Sequence, residues 1–166
     1  MPNNETKKTK SAPRQKGWFA LALISISLVS TITVLSYVFY KNINRVEHID
    51  ANINDTTVKL ELADTEAQRD KGLSERDELP DGWGMLFDFK QDGDWRMWTV
   101  QMRFPIDIVW LDSNKKVVHV KNNARPADYP ERYHAPEPSR YVIELNAGHA
   151  AELGIKNGDF IVFNYP

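Results

Sequence analysis

The sequence predicts a small, mainly β domain, a sandwich or partly closed barrel of about seven strands with two short helices, preceded by one transmembrane helix. Three observations lead there. From Thr57 onward, short apolar-polar alternations are separated by Gly, Pro, Asn and Asp, the pattern of strands and turns. Only two short segments of this region carry helix-end signals. Finally, the 23 residues from Trp18 to Tyr40 contain no Asp, Glu, Lys or Arg. As a helix they reach about 35 Å, enough for a hydrocarbon core of about 30 Å.

Residues 1–17 are polar and basic, with Lys7, Lys8, Lys10, Arg14 and Lys16 against one acid, Glu5. Basic flanks stay on the cytoplasmic side, so the tail is expected inside and the domain in the periplasm or outside the cell. The run 18–40 leaves through Ser36-Tyr37-Val38-Phe39-Tyr40. Bulky residues there do not suit a small-x-small cleavage site, and the tyrosines suit a membrane interface. The expectation is an uncleaved, single-pass signal anchor with the lipid bilayer as its partner.

Residues 41–55 read as a stalk. Ile43, Val46, Ile49 and Ile53 recur at three- and four-residue steps, which predicts that the helix continues outside the membrane before it frays. The domain then spans 56–166. Thr57 to Leu62 alternates as a first strand. Thr65 with Gln68 forms a capping box, and Gly72 closes a two-turn helix. Gly84 to Phe89 reads as a strand, Gln91 to Asp94 as a hairpin turn, and Trp95 to Val100 as the returning strand. Ile106 to Leu111 and Lys116 to Val120 follow, joined by a turn at 112–115. A proline-rich loop runs from Ala124 to Ser139. Tyr141 to Leu145 is a strand, Ala147 to Leu153 a short helix ended by Gly154, and Asp159 to Asn164 the last strand.

Composition excludes several functions. No cysteine is present, which removes disulfides, thiolate nucleophiles and thiolate metal sites. From Thr56 onward 14 Lys and Arg stand against 19 Asp and Glu, and an acidic domain without a basic cluster is a poor partner for nucleic acid. The four histidines show no metal-ligand spacing, so neither metal nor cofactor is expected. No Gly-x-Ser-x-Gly elbow or phosphate-cradling loop occurs. Asp107 and Glu144 each sit within an apolar strand, where two neighbouring acids would suit glycoside or proton-transfer chemistry. The structural alternative is that each is tied to backbone N–H groups or an arginine. Trp83, Trp95, Trp98 and Trp110 fall close together and suit a core, with one ring left at a pocket rim.

Five blocks in order carry a resemblance. Gly72-Leu73-Ser74-Glu75-Arg76, Gly84-Met85-Leu86-Phe87, Trp98 ahead of Phe104-Pro105-Ile106-Asp107, Glu144-Leu145-Asn146-Ala147-Gly148, and Gly158-Asp159 resemble the signature of the domain of unknown function (DUF) 192 family. The resemblance covers about Val58 to Phe163. It implies a compact, mainly β fold with a small helix, often behind a signal peptide or membrane anchor, and it implies no reaction. One block departs: where the family commonly has Trp-Met-Lys-Asn/Asp, this chain has Trp98-Thr99-Val100-Gln101, so family chemistry needing a charge at Gln101 could not run here.

The blocks place Arg76, Trp98, Asp107 and Glu144 beside strand ends and turns, where loops on a rigid scaffold commonly bind ligands. These four are the candidate ligand-binding residues, and Asp107 and Glu144 the candidate catalytic pair. The first functional expectation is a binding or accessory module for an envelope glycan, peptide or protein. The second is an envelope carbohydrate hydrolase or isomerase using the two carboxylates.

Overall fold

The computed structural model describes residues 27–38 and 47–165. The chain divides into two compact units, one ending at Arg45 and the other beginning at Val46. In the first, residues 27–38 form helix α1, with its side chains exposed. Thr31 and Thr33 turn their hydroxyls back to the carbonyls of Ser27 and Val29, each at 2.8 Å. The basic tail 1–17, the remainder of the expected span 18–40 and the start of the stalk lie outside the described residues. Among the described residues no helix is long and apolar enough to cross a membrane.

The second unit runs β1 (His48–Ile53), β2 (Thr56–Ala63), α2 (Glu66–Lys71), β3 (Trp83–Gly93), β4 (Ile106–Leu111), β5 (Val117–Ala124), β6 (Ser139–Asn146), α3 (His149–Glu152) and β7 (Val162–Phe163), with a 3-10 turn at Pro126–Asp128. All seven strands form one sheet in the order β5-β4-β6-β3-β2-β1-β7. Only β2 and β3 pair in parallel. Parallel neighbours need a crossover, and the connection through α2 provides it. The sheet curls into a half-barrel. Near its two edges Lys116 bridges Phe160, the Val117 N–H donates to Asp159 O, and the Gly158 N–H donates to Val117 O, both at 2.8 Å.

Helix α2 is built as its sequence dictates. Thr65 Oγ1 accepts from the Gln68 N–H at 3.3 Å, and Gln68 Oε1 accepts from the Thr65 N–H at 3.0 Å. Gly72 ends the helix at φ 45°, where its N–H reaches Gln68 O, a backbone conformation that side chains disfavour.

Two expectations are corrected. Residues 48–53 are a strand, not a helical stalk, and they belong to the domain that was expected to begin at 56. Ile49, Ala51 and Ile53 also satisfy a period of two, and β1 pairs with β2 from His48↔Glu61 to Ile53↔Thr56. Asn54, at φ 51°, supplies the left-handed turn that a two-residue hairpin requires. Trp95 to Val100 forms no strand beyond an isolated bridge of Met97 with Tyr133. The residues expected as its hairpin turn instead prolong β3, whose Gly93 pairs with Ser139 of β6 after an irregularity at Asp88. The Lys90 N–H donates to Asp88 Oδ1 at 2.7 Å, and Lys90 takes φ 67°, so the chain bulges there rather than reversing.

The core is also double. Leu60, Leu86, Val109, Ile143, Leu145 and Ile161 pack on the concave face with residues from all seven strands. Met85, Phe87, Ile108, Trp110 and Val142 pack on the other face against Leu73, Leu79, Met97, Met102 and Tyr133. A single core containing Met85, Phe87, Ile108, Trp110, Ile143, Leu145 and Ile161, as alternation suggests, does not form. Both faces of β3, β4 and β6 are covered, which is why these strands read as nearly continuous apolar runs.

Candidate functional site

Strand register builds the site. Met85 of β3 lies opposite both Glu61 of β2 and Glu144 of β6, and Glu144 lies opposite Ile108 of β4. The row therefore reads Glu61, Met85, Glu144, Ile108 across four adjacent strands, on the face covered by Leu73, Leu79, Met97 and Met102. Arg76 closes on Glu61 in a bidentate pair, Nη1 to Oε1 at 2.8 Å and Nη2 to Oε2 at 2.7 Å. Such fork-on-carboxylate geometry fixes orientation as well as charge.

Glu144 has no such partner. It is 3% exposed, its neighbours in the row, Met85 and Ile108, are buried and apolar, and no hydrogen bond reaches its Oε2. Burial pushes its carboxyl up to about 8, opposed by the nearby positive charge of Arg76. A buried acid without donors avoids ionisation because the charged form loses its hydration. At neutral pH Glu144 is thus a carboxylic acid that can both donate and accept a hydrogen bond.

Glu144 lines a cavity of about 300 Å³ between α2 and the covering segment, a volume suited to a small ligand. Phe87, Phe89, Trp95 and Trp98 form its aromatic lining. The rings of Phe89 and Trp95 stack with centroids 4.3 Å apart and planes 9° apart. Arg69 stands over Phe89, 5.5 Å from the ring centre, held by hydrogen bonds from Nη1 to Asp64 O at 2.7 Å and Asp88 O at 2.9 Å. Gly72 allows α2 to end against this wall: a Cβ there would lie 3.3 Å from Phe87 Cζ. Arg132 covers Trp98, 4.2 Å from the ring centre.

Asp107 lies elsewhere. Fully buried, it accepts from the N–H groups of Asn123 at 2.8 Å, Gly148 at 2.8 Å and Ala150 at 3.0 Å. It ties β5 and the start of α3 to β4. It pairs opposite Leu145, whereas Glu144 pairs opposite Ile108, so the two carboxyls project from opposite faces of the sheet. Of the four residues expected to share a cleft, Trp98 and Glu144 line one cavity, Arg76 stands behind Glu144 on Glu61, and Asp107 is a backbone tie. The expected catalytic pair is not brought together. Glu61 shares the row with Glu144, but both its oxygens are occupied by Arg76.

Sequence reasoning missed Glu61, Arg69, Phe89 and Trp95 as parts of the site. Glu61 was legible as an acid in a strand that is otherwise apolar at its end, Leu60-Glu61-Leu62-Ala63. Arg69 lies on α2, whose ends the sequence gives, and Trp95 just beyond β3; that both meet Phe89 depends on tertiary packing, which no local pattern gives. Gln101 has φ 53°, and its carbonyl accepts from the Glu75 N–H at 2.8 Å. Asn and Asp enter this conformation more readily than Gln, so a backbone role accounts for the residues that the family-like pattern prefers there. Among the described residues no group of three His, Asp or Glu is placed to hold a metal ion.

Comparison with known proteins adds a family. No curated protein matches the chain. Two crystal structures are similar. A protein provisionally described as a transcription regulator from Sinorhizobium meliloti 1021 shares 30% identity and a TM-score of 0.65, covering 72% of this chain and 94% of that one. A protein of unknown function from Novosphingobium aromaticivorans shares 32% identity and a TM-score of 0.63, covering 70% of this chain and 84% of that one. The family described as DUF192, Uncharacterized ACR, matches residues 47–163. That span takes in every strand of the sheet and the whole cavity, and the chain belongs to the DUF192 family.

Proposed function

We propose that the domain is a binding module for a small glycan or glycan end, held near a membrane by the apolar segment 18–40. The observation that carries the reading is Glu144, a buried acid whose Oε2 has no hydrogen-bond partner and which is among the residues lining an aromatic-walled cavity. An unmet buried polar atom costs free energy unless a ligand satisfies it. Aromatic walls with a few fixed polar groups suit a sugar ring, whose C–H face packs on rings while its hydroxyls take hydrogen bonds. The membrane part of the proposal rests on the uncharged run, its basic flank, and two threonines in α1 whose hydroxyls are satisfied within the helix, as hydrocarbon surroundings demand.

The carbohydrate hydrolase reading needs two carboxylates on one cleft, and Asp107 is on the other face. Binding without chemistry is what the remaining geometry supports. The test is a thermal-shift screen of the purified full chain against neutral mono- and oligosaccharides, with tryptophan fluorescence as a second readout because Trp95 and Trp98 line the cavity. A true ligand raises the melting temperature and perturbs the fluorescence, and Trp98→Ala removes both responses. If no saccharide in the panel moves either signal, the reading falls.

A further inference from the structure

We infer that the ligand meets Glu144 with an uncharged hydroxyl, so that the site takes a neutral sugar and discriminates against its amino-sugar counterpart. This deepens the binding reading and rests on it.

The surroundings of Glu144 support only its neutral form. Among the described residues the cation acting on Glu144 is Arg76, which has both terminal nitrogens on Glu61 and offers Glu144 no hydrogen bond. From β3 and β4 it faces Met85 and Ile108, which carry no donor. The charged groups facing the cavity from α2 are Glu66, Arg69, Asp70 and Lys71, and from the covering segment Arg96. Lys71 is paired with Glu75, and Arg96 with Asp94. The wall thus mixes both signs and presents no concentrated field for a charged ligand. An ammonium entering here would have to ionise Glu144 and bury an ion pair, whose desolvation offsets its attraction. It would also pass the Arg69 guanidinium, which no carboxylate neutralises among the described residues. A hydroxyl escapes both penalties: it accepts the Glu144 proton and can donate to the other oxygen. Burial lifts the Glu144 carboxyl to about 8, so this form is the one present at neutral pH.

The experiment measures affinity of the full chain for glucose, N-acetylglucosamine and glucosamine from pH 6 to pH 9.5, in wild type and Glu144→Gln. Gln keeps one donor and one acceptor but cannot ionise. The expected result is binding of the neutral sugars at pH 6 and weaker or no binding of protonated glucosamine. As Glu144 ionises, wild-type affinity should fall about tenfold per pH unit. Glu144→Gln, which cannot ionise, should show no such fall over the same pH range. Wild-type affinity that rises with pH, or tighter binding of glucosamine than of N-acetylglucosamine, overturns the inference and leaves the binding module standing. So does a folded Glu144→Gln protein, verified by its melting transition, that binds nothing. The wild-type pH profile decides the matter even if the variant does not fold. Failure of every sugar to bind wild type at any pH overturns the binding reading itself, and the inference with it.

Discussion

Glu144 and Asp107 are both acids in apolar strands, yet their surroundings give them different work. Asp107 is met by three N–H groups, while Glu144 Oε2 is met by none. The difference predicts a pH signature. Between the ordinary carboxyl value of 4.5 and the raised value of about 8, the folded protein holds a proton on Glu144 that the unfolded chain has released. Stability contributed by that proton is full below the lower value, declines as pH rises through the window, and is gone above the upper one. Glu144→Gln should lack this decline, so its stability relative to wild type should improve from pH 5 to pH 8. Chemical denaturation at several pH values measures it, and the difference between the two proteins cancels other titrating groups such as His119, whose burial holds it below its usual value. Parallel curves for the two proteins would mean that Glu144 ionises freely. Both acids were visible in the sequence as polar residues in apolar strands. Their partners were not, because Asp107 is satisfied from residues 16 to 43 positions away and Glu144 is isolated by its neighbours in the sheet.

At the scale of elements, the legible parts are those whose signals are local. The capping box of Thr65 and Gln68 and the glycine at 72 define α2 because the groups that end the helix are three or four residues from those they satisfy. The strands at 56–63, 106–111 and 139–146 follow from alternation or apolar runs of ordinary length. Where two periods competed, the pattern misled: Ile49 and Ile53 fit a helix and a strand equally, and pairing with β2 decides. Trp95 to Val100 alternates like a strand, but β3, its expected hairpin partner, is already paired with β2 on one side and β6 on the other. Asp107 belongs to this scale as well, since its carboxylate fixes where α3 begins. Asp107→Asn places an amide where a carboxylate accepts three N–H groups, and should cost about 2–4 kcal/mol of stability. Its melting temperature should fall while saccharide affinity at a temperature where it is folded stays unchanged. Loss of affinity without loss of stability would return Asp107 to the binding site.

For the whole molecule, a curled sheet with both faces covered separates structural from functional packing. The concave core collects side chains from every strand and holds the half-barrel together. The opposite core lies under the segment that carries Trp95, Met97 and Trp98, and is shared with the cavity through Phe87. One-sided alternation could not reveal this division, because doubly covered strands lose their polar face. The division makes a paired prediction. Ile143 is fully buried on the concave side and Phe87 is 2% exposed on the cavity side. Ile143→Ala should cost about 2–5 kcal/mol and Phe87→Ala about 3–5 kcal/mol, the range for emptying a well-packed core. Stability alone therefore does not distinguish them. Ligand affinity does: Ile143→Ala should bind saccharide as wild type does below its melting transition, because its cavity is on the far side of the sheet. Phe87→Ala should weaken binding at least tenfold, because it removes part of the wall against which Gly72 and the end of α2 are placed. Denaturant unfolding and titration calorimetry on the same two proteins check both halves. Equal loss of affinity in the two variants would show that the faces are mechanically coupled, and that the concave core shapes the binding wall as directly as the residues that touch it.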